Sequence, residues 1–286
     1  MDNKVFVYGS LQKGMGNHRI VQRYVRSVQN ASMRGWMFNL GCYPGVVVGS
    51  GVVHGQLLEL SQPERALSAM DILEGFQEPE HPRNLFERVK TIVSLDHGQT
   101  AECFAYILHD RNKAEICESA AFLPSGKWGC ERELRLYIAY GSCMSEASFS
   151  ETVANYTRLG RAELEGYRVG FTKYSAKWGG GVADLLPAPG ETMEGVLYLL
   201  PADEIEPLDE REGANLVPPA YRRTNISVSV DGMRLPAFSY EVADKSKREI
   251  APSDAYMCTI LDGTNVLSGA YAVRLREAMN RLRDVQ

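Results

Sequence analysis

The 286-residue chain has no run of about 18 apolar residues, so it offers no segment able to cross a bilayer as a helix. It has no Cys-x-x-Cys pair among its six cysteines, Cys42, Cys103, Cys117, Cys130, Cys143 and Cys258, so neither a zinc knuckle nor a redox pair is indicated. Reduced and mostly buried thiols are expected instead. The five histidines, His18, His54, His81, His97 and His109, lack any metal-binding spacing, and none lies beyond residue 109. A Cys–His nucleophile built on Cys143 would therefore need its base from the other half of the chain. There is no low-complexity tract and no stripe of Lys and Arg able to track a phosphate backbone. With a net charge of −5, nucleic acid is not an expected partner. The start, Met1-Asp2-Asn3-Lys4-Val5, has no signal-peptide layout, and a cytoplasmic location without a membrane partner is expected.

What is present is a balance of 44% hydrophobic and 23% charged residues, which is that of a folded chain long enough for two ordinary domains. An internal repeat divides it. Val5-Phe6-Val7-Tyr8-Gly9-Ser10-Leu11 returns as Tyr137-Ile138-Ala139-Tyr140-Gly141-Ser142-Cys143. Downstream, Met70-Asp71-Ile72-Leu73-Glu74-Gly75 returns as Leu208-Asp209-Glu210-Arg211-Glu212-Gly213, both fitting apolar-Asp-x-x-Glu-Gly. The separations, 66 positions from Tyr8 to Glu74 and 72 from Tyr140 to Glu212, differ by no more than a loop.

The segments between these motifs also correspond. Residues 51–60 alternate like a half-buried strand before Pro63 opens a helical run to Glu74. In the second half, residues 194–200 form the strand, and Pro201-Ala202-Asp203 opens the run to Glu212. Further strands are expected over 87–95, 101–108, 224–230 and 235–242. The polar stretch 110–132 reads as the tail of the first domain and a linker, giving domains over 1–125 and 133–286. Ser253 looks like a helix N-cap, and a last helix is expected from Gly269 to Arg283 with Leu275, Ala278, Met279 and Leu282 on its apolar stripe. The fold class is α+β, a small curled sheet in each half. Periodicity leaves open whether that sheet closes.

The chemistry resides in the two motifs. A strand that ends in Tyr-Gly-Ser turns sharply, and such a turn can aim successive N–H groups at one oxygen. The Tyr ring would anchor the loop, and Ser10 or Ser142 would add a hydroxyl. Gly75 and Gly213 read as helix C-caps, which sets Glu74 and Glu212 at helix ends, where a negative charge is disfavoured. That placement would raise the carboxyl pKa toward neutrality and suit a general acid/base. The run Gly179-Gly180-Gly181 lacks the Gly-Lys-Ser/Thr of a phosphate loop and reads as close backbone packing near the active loop.

On these residues the chain resembles the γ-glutamyl cyclotransferase superfamily along nearly its whole length. Tyr8-Gly9-Ser10-Leu11, Tyr43-Pro44, Asp71-x-x-Glu74-Gly75 and Phe86-Glu87-Arg88 are similar to the bacterial and γ-glutamylamine branch. Trp178-Gly179-Gly180-Gly181-Val182-Ala183 and Leu208–Gly213 are similar to the γ-glutamylcyclotransferases proper. The resemblance implies two tandem small β-barrel domains with packed helices, without metal or organic cofactor. It implies cyclisation of a γ-glutamyl small molecule to 5-oxoproline, with Glu74 and Glu212 as catalytic base and acid. The glutamyl group would be held by Tyr8, Gly9, Ser10 and Leu11, and by Tyr140, Gly141, Ser142, Cys143 and Tyr221. Cys143 stands where that branch usually has Asn, and Phe86 where a Tyr is common. Whether both halves turn over, or one or both only bind a γ-glutamyl metabolite, is left open.

Overall fold

The computed structural model describes residues 3–129 and 134–284. Cys130 and the end of the expected linker lie outside them. The chain divides into two compact units, Met1–Arg132 and Glu133–Gln286.

In the first unit the strands are β1 (Lys4–Val7), β2 (Val25–Asn39), β3 (Pro44–Leu60), β4 (Phe86–Leu95) and β5 (Thr100–Leu108). They pair in the order β3-β1-β5-β4-β2, and β2 pairs again with β3, so the ring of ladders returns to its start. Register shifts between Val25 and Ser27 and between Arg34 and Trp36 bend the long β2–β3 ladder. Inward side chains, among them Phe6, Met33, Met37, Val46, Val53, Leu57 and Ala105, fill the interior. Helix α1 (Pro63–Glu74) starts with Pro63 in its first turn and ends on Gly75, whose φ of 67° is the left-handed C-cap that glycine favours.

The stretch expected as tail and linker carries two elements that its polar composition conceals. His109 accepts from the Arg111 N–H and caps α2 (Asp110–Ser119), a helix with no buried residue. Strand β6 (Ala121–Leu123) pairs with β2 and sets Phe122 against Trp36 and Phe38, with ring centroids 5.7 and 5.6 Å apart.

The second unit repeats the plan with β7 (Leu134–Ala139), β8 (Thr157–Ser175), β9 (Gly180–Pro201), β10 (Tyr221–Val230) and β11 (Met233–Val242), closed as β10-β11-β7-β9-β8. Three register shifts along β8–β9 supply the curvature that closure needs. Tyr137, Phe149, Tyr198 and Phe238 stack inside, the closest pair, Phe149 and Tyr198, 4.1 Å between centroids. A short helix α3 (Glu146–Ser150) follows the loop after β7. Pro201, the last residue of β9, caps a 3-10 turn (Ala202–Glu204) that leads straight into α4 (Ile205–Glu212), so the helical run to Glu212 opens where the sequence places it. Gly213 caps α4 at φ 64°. Ser253 accepts from the Tyr256 N–H to cap α5 (Asp254–Asp262), as its sequence suggests. Helix α6 (Gly269–Asp284) buries Tyr271, Leu275 and Met279. None of the described helices is long and apolar enough to cross a membrane.

One glycine recurs for a packing reason. A Cβ on Gly55 would stand 2.2 Å from the Val7 carbonyl oxygen, and a Cβ on Gly195 would stand 2.4 Å from that of Ala139. Both glycines lie beside the residue that precedes the Tyr-Gly-Ser turn. Gly55→Ala is expected to push β1 off β3 and destabilise the chain by about 2–3 kcal/mol, read as a lowered urea midpoint.

Of the five described cysteines, Cys103 and Cys143 are buried, but Cys42 and Cys258 are exposed. The expectation of mostly buried thiols fails for the latter two because Cys42 sits in the bend joining β2 to β3 and Cys258 on the outer side of α5.

Candidate active site

Helix α1 buries Ala66, Leu67 and Met70, and Glu74 lies one turn beyond Met70 on that inward stripe. Helix α4 buries Leu208, and Glu212 again follows four residues later. The amphipathic pattern itself therefore carries each carboxyl toward its barrel.

In the first unit, Glu74 lines a cavity of about 400 Å³ with Tyr8, Gly9, Ser10 and Leu11. Burial pushes its carboxyl up from 4.5 to about 7. The lost hydration shell, rather than the helix end invoked from sequence, is the largest cause. Three of the loop's carbonyls are engaged on the following segment. Gly9 O accepts from Gln12 N (3.1 Å), Ser10 O from Asn17 N (3.1 Å) and Leu11 O from His18 Nδ1 (2.9 Å). Because a carbonyl only accepts, His18 must carry its proton on Nδ1. Among the described residues no acceptor pairs with the N–H of Ser10 or Leu11. Asn17 Nδ2 donates to Ser10 Oγ at 2.9 Å, which orients that hydroxyl. Cys42, Tyr43, Pro44, Leu73, Leu85 and Phe86 also line the cavity, and among the described residues Glu74 is the single charged group there.

The loop and the glutamate are joined by a chain of hydrogen bonds that motif reading alone misses. The buried Tyr8 hydroxyl donates to Tyr106 O (2.6 Å), and the Tyr106 hydroxyl donates to Asp71 Oδ1 (2.6 Å). Arg88 Nη1 donates to both Asp71 oxygens, at 2.8 and 2.6 Å. The second unit repeats it: Tyr140 to Tyr240 O (2.5 Å), Tyr240 to Asp209 Oδ1 (2.6 Å) and Arg223 to Asp209 Oδ2 (3.3 Å). The Asp of each Asp-x-x-Glu-Gly motif is the tie.

The second site has the same parts but a different interior. Tyr140, Gly141, Ser142, Cys143, Glu212 and Tyr221 surround a space of about 30 Å³. Glu212 is buried and its pKa is raised by that burial, partly countered by Arg211. The Cys143 thiol lies 3.5 Å from Glu212 Oε1. Burial and the neighbouring carboxylate push that thiol up to about 12, so it stays protonated and donates; it is no thiolate nucleophile. Tyr221 donates to Ala183 O at 2.8 Å. The glycine run packs close as expected, since a Cβ on Gly181 would meet Ile250 O at 2.0 Å.

The family described as "Gamma-glutamyl cyclotransferase, AIG2-like" matches residues 5–130 and again residues 137–258. The chain belongs to that family. YkqA of Bacillus subtilis (strain 168) is 28% identical to it over 99% of both chains. The gamma-L-glutamyl-butirosin B gamma-glutamyl cyclotransferase of Niallia circulans is 34% identical over 95 residues, which are 33% of this chain and 60% of that protein. The crystal structure of YkqA aligns over 98% of each chain with a TM-score of 0.47 and 27% identity. The two matched regions of this γ-glutamyl cyclotransferase family member each contain one Tyr-Gly-Ser loop and one Asp-x-x-Glu-Gly motif.

Proposed function

We propose that the protein cyclises a γ-glutamyl group to 5-oxoproline and releases the attached amine, with Glu74 moving the proton. The observation that carries this reading is a carboxyl with a pKa near 7 lining the same 400 Å³ cavity as the Tyr8–Leu11 turn. A cavity of that size suits a small metabolite.

In the reaction, ionised Glu74 accepts a proton from the substrate α-ammonium. The freed amine attacks its own γ-carbonyl carbon, forming the ring C–N bond, and the carbonyl oxygen becomes an oxyanion. Loop N–H groups hold the glutamyl end and that charge without a cationic side chain. Glu74 then gives its proton to the leaving nitrogen as the old C–N bond breaks and the carbonyl re-forms, and the second proton that the ring nitrogen sheds passes through the same carboxylate to the departing amine, which leaves as an ammonium ion. Five-membered closure is intramolecular and favoured by proximity, so a single carboxyl that relays protons from the α-nitrogen to the departing amine suffices, and neither metal nor organic cofactor enters the scheme.

The cavity lining also speaks to the leaving group. Among the described residues it contains no Lys, Arg or His, while Tyr43 and Phe86 form an edge-to-face pair with centroids 6.1 Å apart. A leaving amine that carries its own carboxylate would have no counter-charge there, so γ-glutamyl amines should be preferred over γ-glutamyl amino acids.

The test is release of 5-oxoproline and free amine, in equal amounts, from a panel of both donor kinds. Release from at least one donor, lost in a Glu74→Gln, Glu212→Gln double variant, is expected. Donor binding with no 5-oxoproline from any of them would make the protein a binder of γ-glutamyl metabolites instead.

A further inference from the structure

The two sites differ in what fills them. About 400 Å³ is open beside Glu74, whereas the 30 Å³ beside Glu212 is room for about one water. One of the rings that occupy the second site comes from α5. Tyr256 is 4% exposed and lines the second cavity. Its phenol oxygen accepts from Ala183 N at 3.1 Å. A Cβ on Gly141 would stand 3.2 Å from that oxygen, so the ring tip rests against the turn itself. Trp178 packs on the ring, with centroids 4.8 Å apart, while the N–H of Tyr256 is held by the Ser253 cap.

The other polar groups of the second cavity are satisfied from within as well. Glu212 has the Cys143 thiol, Tyr221 has Ala183 O, and Tyr140 has Tyr240 O. The first unit has no counterpart of this seal: the helix after its last long strand, α2, buries none of its residues.

We infer that the chain carries one working glutamyl site, in the first unit, and that the second is filled by its own Tyr256, whose phenol tip occupies the space beside the Tyr140–Cys143 turn that the corresponding turn of the first unit leaves open to substrate. This rests on the cyclotransferase reading for what the open site binds, but the number of sites can be counted without turnover.

Full-length Glu74→Gln protein titrated with γ-glutamylethylamide in a calorimeter should bind one molecule per chain. Two molecules per chain would overturn the inference. Adding Tyr256→Ala should raise the count to two, and a folded Tyr256→Ala protein that still binds one would remove Tyr256 from the account. A kinetic arm does not depend on that variant folding. Glu74→Gln alone, with Glu212 and Tyr256 intact, should retain under about 1% of wild-type 5-oxoproline release. Retention of half would show a working second site. If the wild-type chain binds one γ-glutamylethylamide yet releases no 5-oxoproline from any donor, the cyclotransferase reading falls while the one-site count stands.

Discussion

Replacing Glu74 by glutamine is expected to move activity and stability in opposite directions. A proton carrier that acts first as base and then as acid contributes about 10²–10⁴-fold, and glutamine can do neither. Release of 5-oxoproline should fall by about 10³-fold. The same change should stabilise the chain at pH 8. Below pH 4.5 the carboxyl is protonated in both folded and unfolded chains and exerts no penalty. Between pH 4.5 and 7 the unfolded chain ionises while the folded one, with its carboxyl held at about 7, keeps its proton, so stability falls as pH rises through this window. Above pH 7 the buried carboxylate costs on the order of 2–3 kcal/mol, which glutamine removes. A urea midpoint raised at pH 8 but unchanged at pH 4 is the signature. The wild-type kcat/KM should rise along a limb near pH 7, since only ionised Glu74 accepts the α-ammonium proton. A glutamine variant no more stable at pH 8 than at pH 4, relative to wild type, would mean that this carboxyl is not held out of water.

What could be read from sequence, and what could not, follows the range over which each feature is encoded. Tyr8 and Glu74 lie in short motifs with a glycine beside each, and the repetition of both at Tyr140 and Glu212 marks them. Pro63, Gly75, Gly213 and Ser253 act within one helical turn, so their roles as first-turn and cap residues are local facts. Closure of the sheets is not local. It depends on β2 meeting both β3 and β4, which alternation within a strand does not express. Tyr106 and Tyr240 look like ordinary strand aromatics until the barrel sets their carbonyls against Tyr8 and Tyr140, about 100 residues away in sequence. Tyr256 is the same case, an unremarked helix residue whose effect on the second site arises 73 positions from Ala183. The helix-end placement of Glu74 points to a raised pKa, but the main cause, burial, comes from the Met70 stripe that turns the helix inward.

Asp71 should prove nearly as sensitive as the glutamate it precedes, for a different reason. It accepts from Tyr106, whose carbonyl holds the Tyr8 hydroxyl, and from Arg88, whose guanidinium also sits over the rings of Phe76 (5.1 Å) and Phe104 (5.3 Å). Helix α1, which positions Glu74, is thus tied through one carboxylate to the strand that anchors the Tyr8–Leu11 loop. Asp71→Ala leaves the Tyr106 hydroxyl only a 3.5 Å contact to Leu67 O and strips a half-buried arginine of its partner. The expected loss is about 2–4 kcal/mol of stability, since these are charge-assisted bonds shielded from bulk water. Asp71 touches no reacting atom in this scheme, so its effect on catalysis is one of position. kcat should fall about 10-fold or more at saturating donor, while the pH 7 limb set by Glu74 remains. Asp71→Asn keeps an acceptor for Tyr106 and should recover most of the activity while recovering less of the stability, because the arginine still faces a neutral group. Tyr106→Phe cuts the same chain one link later, and a double-mutant cycle between Asp71 and Tyr106 should show strong non-additivity. If Asp71→Ala lost stability with kcat untouched in the folded protein, the tie would be structural alone, and the alignment of loop and glutamate would have to come from barrel packing.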